Sequence, residues 1–280
     1  MRLPATTPGT VAPRATAFVV LTLACSWVPW LLLAATGGDP TAGPMAAALW
    51  VLGGLGPGVA TVLMVWRVEG RDGLARVGRS LRRWRFGRAG WLLLVPLPVA
   101  VASVGLLAAL DRVSLAPAVA ATLPLLPVFL LSGVVLGGLE EVGWRGYLQP
   151  LLQVRYRGVT AALLVGAVWS LWHAPLFLLE GTSQAATSAA SFTLGALSLS
   201  VLFAWVWNIT GGNLLLLVLL HAALNGWYGA TVQGLAPTAT DAGFGTVTAG
   251  LAGVLAIALL VRVGGELGRG TGSATRGDAG

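Results

Sequence analysis

Lysine is absent from this chain and cysteine nearly so. A single cysteine, Cys25, rules out an intramolecular disulfide and any cysteine-built metal framework. Charge is scarce as well. Only 10% of residues are charged and 56% are hydrophobic, whereas an ordinary soluble domain carries about 25% charged residues. The shortage argues against a soluble enzyme and for a chain that lives in a bilayer, with several apolar runs long enough to cross it. All 17 basic residues are arginine. Together with the abundance of Ala and Gly, this reads as compositional bias and points to a bacterial plasma membrane rather than to a specific function. The net charge of +7 does not indicate nucleic acid. The arginines cluster in loops beside apolar spans, where membrane topology and anionic lipid account for them.

The hydrophobic runs predict an all-α polytopic bundle of about eight transmembrane helices. They cover roughly Ala15 to Ala35, Met45 to Trp66, Gly90 to Leu110, Leu123 to Leu148, Gly158 to Leu179, Ser191 to Trp207, Asn213 to Tyr228 and Thr246 to Val263. The sixth and seventh are short for a crossing, so a tight hairpin that stops partway is an alternative there. With both termini cytoplasmic, 16 of the 17 arginines fall inside and only Arg112 falls outside, as the positive-inside rule requires. The first run is preceded by basic residues, like a cleaved signal peptide. Its length and the seven runs after it predict an uncleaved helix. Residues 1–264 therefore form one membrane domain with no second soluble domain, and the Gly/Ser/Thr-rich stretch 265–280 is expected to be a disordered tail.

Two further patterns are structural. Leu74, Val77, Leu81 and Trp84 recur at helical spacing among arginines and predict a helix lying in the cytoplasmic interface. The stretch from Gly53 to Gly58, GGLGPG, should kink the second span and allow close helix packing.

Against this apolar background a few polar residues stand out. Glu140 and Glu141 end a long apolar run, followed by Arg145. The only two histidines, His173 and His221, also lie in apolar runs, and Asn225 follows His221. Polar groups in such places are costly and default to a functional reading. Adjacent glutamates on a helix point about 100° apart and take different jobs. Glu141 and Arg145 are spaced i,i+4 for an ion pair, which leaves Glu140 with no local partner and suited to general base or acid work. His221 and Asn225 share one helix face. Taken singly, each has a plain structural role: a solvated acid at a span end, a core histidine, or polar glue between helices. Three sites on three spans together argue for a shared cavity. At 1.5 Å per residue, Glu140 and His221 lie about 12 Å from the cytoplasmic surface and His173 about 20 Å.

In order and spacing, EEVGWR, WSLWH and HAALN resemble the EExxxR, FxxxH and HxxxN motifs of the CAAX prenyl endopeptidase-like membrane proteins, the CPBP (CAAX protease and bacteriocin-processing) family. The resemblance covers about 125–228. Trp169 replaces the usual Phe, an exchange expected to touch packing more than chemistry. The resemblance implies an intramembrane endopeptidase in which Glu140 activates water, His173 helps to hold it, His221 and Asn225 stabilise the oxyanion, and Glu141 and Arg145 support the site. No cofactor is expected. Zinc is the alternative, on Glu140, His173 and His221, but HExxH is missing and Asn225 is a poor ligand. The implied partners are a peptide or lipidated-protein substrate and membrane lipid, with no nucleic acid. The sequence fixes neither substrate-binding residues nor oligomeric state. Competing readings are a non-catalytic membrane immunity or scaffold protein and a proton-coupled transporter. No internal repeat of the transporter kind stands out.

Overall fold

The structure, a computed structural model, describes residues 6–109, 123–235 and 241–269. Among these residues every regular element is helical. Seven helical segments are long and apolar enough to cross a membrane, and one bent pair brings the total to eight. Arg112, expected outside, lies beyond the described residues.

Helix α1 (Pro8–Ala35) starts earlier than its apolar run. Pro8 occupies the first helical position, where a missing N–H costs nothing, and Thr7 N–H donates to Thr10 Oγ1 at 3.2 Å. Helices α2 (Pro44–Gly54) and α3 (Gly56–Leu81) form the bent pair, turning by 48° at Leu55. The bend falls in GGLGPG, where glycine loosens the turn and Pro57 cannot donate back. The same glycines allow close packing. Gly53 lies against the Trp30 indole and Gly56 against Ser26, with no room for a side chain at either.

At Gly70 (φ 64°) α3 breaks again, and the last part of it carries the arginine-rich stretch. Val77 is buried, with Leu74 and Leu81 packed against the core. The helix stops at Leu81, so Trp84 does not extend that stripe as the periodicity predicts. It is exposed and tilts against Phe86, 6.3 Å away. A 3-10 segment (Gly87–Leu94) leads into α4 (Pro96–Ala109).

The span that carries the glutamates is not one helix. α5 (Leu126–Val135) ends at Leu136. A 3-10 turn (Gly138–Glu140), one α turn (Glu141–Gly143), a π turn (Trp144–Leu148) and a last α turn (Gln149–Leu152) complete the crossing. Helix α6 (Gly158–Trp172) gives way at His173 to a 3-10 turn (Ala174–Leu178), because Pro175 cannot continue an α ladder.

Helices α7 (Ala189–Ile209) and α8 (Leu214–Leu235) have 21 and 22 residues. Both are long enough to cross, so the short spans expected from hydropathy are corrected. Polar residues cap both helices at their N-terminal ends, and α8 continues past its apolar run to Leu235. Ser188 Oγ accepts from Ser191 N–H at 3.1 Å, and Asn213 Oδ1 accepts from Leu216 N–H at 3.1 Å. Helix α9 (Asp241–Val263) follows.

The tail expected to be disordered from residue 265 is packed as far as 269. Leu267 is buried, Arg157 pairs with Glu266 at 2.9 Å, and Arg269 donates to the carbonyls of Tyr156 and Gln153. Residues 270–280 lie outside the described part.

In the bundle, α1 packs on α2 and α3, and α7 packs between α6 and α9. The approach that matters most for the site is α5 against α8. A methyl group on Gly133 would meet the Ala222 carbonyl oxygen at 2.6 Å, and one on Gly138 would meet that of Val218 at 2.6 Å. From the other side, Gly226 lies against Leu130 and Gly229 against Phe129. Small residues of this kind let two membrane helices meet backbone to backbone.

Candidate active site

A broken span, a helix end and one continuous helix deliver the polar residues. The 3-10 and α turns after α5 present Glu140 and Glu141, the C-terminal end of α6 presents His173, and α8 presents His221. All are buried: Glu140 is 4% exposed, His173 6%, His221 4%, and Glu141 and Arg145 0%. The polar atoms meet one another and aromatic rings. A cavity of about 490 Å³ lies elsewhere, at the arginine-rich end.

Glu140 and Glu141 face different partners. Glu140 Oε2 accepts the indole N–H of Trp169 at 2.7 Å and that of Trp144 at 3.3 Å. Glu141 Oε1 accepts Arg145 Nη1 at 3.0 Å and contacts His221 Nδ1 at 2.8 Å. The Arg145 guanidinium lies 5.4 Å from the ring centre of Trp169 and 5.0 Å from that of Phe203. These are cation–π distances, and they matter more where water is excluded.

The two histidines are oriented from behind. His173 Nδ1 lies 2.8 Å from the carbonyl oxygen of Trp169. A carbonyl only accepts, so Nδ1 carries the proton and the neutral ring keeps a lone pair on Nε2. His221 directs Nδ1 at Glu141, which leaves its Nε2 to face away from that carboxylate. Trp169 links the set. Its side chain holds Glu140, its carbonyl holds His173, and its ring meets His221 edge-on at 5.4 Å.

The aromatic wall behind His173 reaches α1. Trp172 meets His173 edge-to-face at 4.6 Å and Trp144 edge-to-face at 5.7 Å. It donates to Ser26 Oγ at 2.7 Å, while Trp27 donates to the Trp172 carbonyl at 3.0 Å.

Asn225 lies one turn beyond His221 and is exposed. Its amide abuts Gly137, where any side chain would collide with it. It therefore stands at the edge of the buried cluster.

Sequence reasoning missed two members of this cluster. Trp144 is four residues after Glu140 in the sequence, so its proximity was legible as helical spacing. Trp169 was noted only as an aromatic replacement, and its N–H makes the shortest hydrogen bond to Glu140. The exchange for Phe thus touches the polar chemistry as well as packing.

Among the described residues, no group of three His, Cys, Asp or Glu side chains could hold a metal ion.

The fold and this cluster define a polytopic helical membrane protein with a buried carboxylate–imidazole site. Residues 122–227 match the family model of type II CAAX prenyl endopeptidase Rce1-like proteins, and that stretch contains every residue of the cluster. In this segment, which makes up well under half of the chain, the protein is similar to the CAAX protease family. It is also 32% identical over 92 residues to "CAAX prenyl protease 2" of Methanococcus maripaludis, an alignment covering 31% of this chain and 34% of that protein. The chain thus spans about a third of the length of the curated relative it matches.

Proposed function

We propose that the protein is an intramembrane endopeptidase. It hydrolyses a peptide bond of a membrane-associated or lipid-modified substrate, using a water molecule activated by Glu140. One observation carries the reading: Trp169 holds Glu140 through its side chain and His173 through its carbonyl. The free Glu140 oxygen and His173 Nε2 are then two acceptors for one water.

In the proposed reaction Glu140 takes a proton from that water. The oxygen attacks the scissile carbonyl carbon, and the carbonyl π pair moves to oxygen. His221 Nε2, in the protonated ring, and Asn225 Nδ2 donate hydrogen bonds to the oxyanion. As the C–N bond breaks, Glu140 returns its proton to the departing amine. Glu141 neutralises Arg145 and fixes the His221 ring, much as a buried carboxylate orients an imidazole in other hydrolytic sites. The substrate class rests on the family of the matching segment and on the name of the relative.

The test compares membrane and secreted peptides from cells carrying the wild-type protein and the Glu140→Gln variant, with elemental analysis of the purified protein. We expect wild-type-dependent peptide termini that vanish in the variant, in protein without stoichiometric metal. Identical peptide sets would overturn the protease reading. One zinc per chain, with activity lost on chelation and regained on its return, would overturn the metal-free mechanism.

A further inference from the structure

A second polar site lies apart from the glutamates. Between the end of α3, the 3-10 segment Gly87–Leu94 and the α7–α8 turn is a cavity of about 490 Å³. Arg83, Arg85 and Arg88 line it together with Trp91, Trp205 and Asn213, and no acidic residue does. Among the described residues, none of the three arginines makes an ion pair. Its floor is tied in place. Asn213 Nδ2 donates to the Arg83 carbonyl at 3.0 Å, while Ser80 Oγ donates to Gly212 O at 2.7 Å and accepts from Leu214 N–H at 3.1 Å. The mouth continues into apolar surface, with Trp91 59% and Leu94 71% exposed on the segment that leads into α4.

Three uncompensated guanidinium groups in one concavity call for an anion. A preformed cavity distinguishes these three from the other arginines of the same stretch, which a topology role alone would explain equally well. Guanidinium pairs with phosphate through parallel N–H donors. The apolar wall and the exposed tryptophan mark the depth of the headgroups, where amphipathic rings settle. A soluble anion would have no use for the greasy wall, whereas a phospholipid would lay its acyl chains along it.

We propose that this cavity binds the headgroup of an anionic phospholipid, with the phosphate on Arg83, Arg85 and Arg88 and the acyl chains against Trp91 and Leu94. The site is independent of the peptidase chemistry. It also sits on the joint that fixes the start of α8, the helix bearing His221 and Asn225.

Native mass spectrometry of the full chain, titrated with phosphatidylglycerol or phosphatidylcholine in detergent, tests the site. Arg83→Gln/Arg85→Gln/Arg88→Gln is compared with Arg67→Gln/Arg71→Gln/Arg79→Gln, which removes equal charge outside the cavity. We expect one tightly held phosphatidylglycerol in wild type and in the outside variant. Binding in the cavity variant should be on the order of 100-fold weaker, down to the phosphatidylcholine level. If that triple variant does not fold, Arg85→Gln/Arg88→Gln should still weaken binding by more than tenfold. Equal loss in both triple variants, or equal retention of phosphatidylcholine by wild type, would overturn the proposal. Full displacement by millimolar glycerol phosphate would assign the cavity to a soluble anion and overturn it too.

Discussion

At the scale of single residues, the proposed site turns on Trp169. Trp169→Phe keeps an aromatic ring, a smaller one, and removes the donor to Glu140. A hydrogen bond to a charged group is worth about 1.5–3 kcal/mol, so the rate should fall about 10- to 100-fold. Because the donor touches the base and not the substrate, kcat should carry the loss and KM should stay nearly constant. In 15N-indole-labelled protein the resonance missing from Trp169→Phe should be among those that move in Glu140→Gln, with that of Trp144, the other indole donor. Unchanged kcat, or an immobile resonance, would refute the positioning role. Glu141 is the other pivot, shared by Arg145 and His221. Glu141→Ala leaves a buried guanidinium without its carboxylate and should cost about 3–5 kcal/mol of stability, measured by denaturant or thermal unfolding. A shift under 1 kcal/mol would show the pair to be dispensable. The Glu141–Arg145 pair was legible because helical spacing alone brings i and i+4 together. The Glu141–His221 contact joins residues 80 apart in the chain, and no local period announces it. The direction of the Trp169 N–H is likewise set by the packing of α6 against the broken span.

Elements show why the site is where it is. The glutamate span changes from α to 3-10 to π within a few turns. π turns are rare and gather at functional sites. Here the irregular turns send Glu140 toward α6 and Glu141 toward α8. Hydropathy cannot register such a change, since it sums side-chain polarity over a window and carries no information about backbone geometry. The GGLGPG bend was legible, because glycine and proline act locally. The lengths of α7 and α8 were not, since the cap of α7, Ser188, lies outside its hydrophobic run and α8 continues past Tyr228 to Leu235. The close α5–α8 approach predicts that Gly138→Ala forces a backbone contact apart. A loss of about 1–3 kcal/mol in stability is expected, with reduced activity because Glu140 shifts. Gly78→Ala, with open space around it, should be neutral or slightly stabilising. Equal unfolding midpoints for the two variants would contradict the tight α5–α8 seam.

The whole molecule is a membrane bundle with two distinct polar regions. One is buried among aromatic rings at the meeting of α6, α8 and the broken span. The other is the open arginine cavity at the loop end. Scarce charge and long apolar runs were sufficient to read the first level, a helical membrane protein of about eight spans. The convergence of Glu140, His173 and His221 depends on helix order in three dimensions, and the sequence hinted at it through three polar sites on three apolar spans and through the motif resemblance. The arginine stretch read as a topology signal because its cavity is made by three separate segments. The central claim is that Glu140 activates the water that cleaves a peptide bond. Its most direct test is turnover of a C-terminally prenylated peptide by purified protein in nanodiscs, for wild type and Glu140→Gln at equal melting temperature. The account predicts cleavage by wild type and a fall of kcat by about 10²- to 10⁴-fold in the variant. Turnover in the variant within threefold of wild type would contradict it.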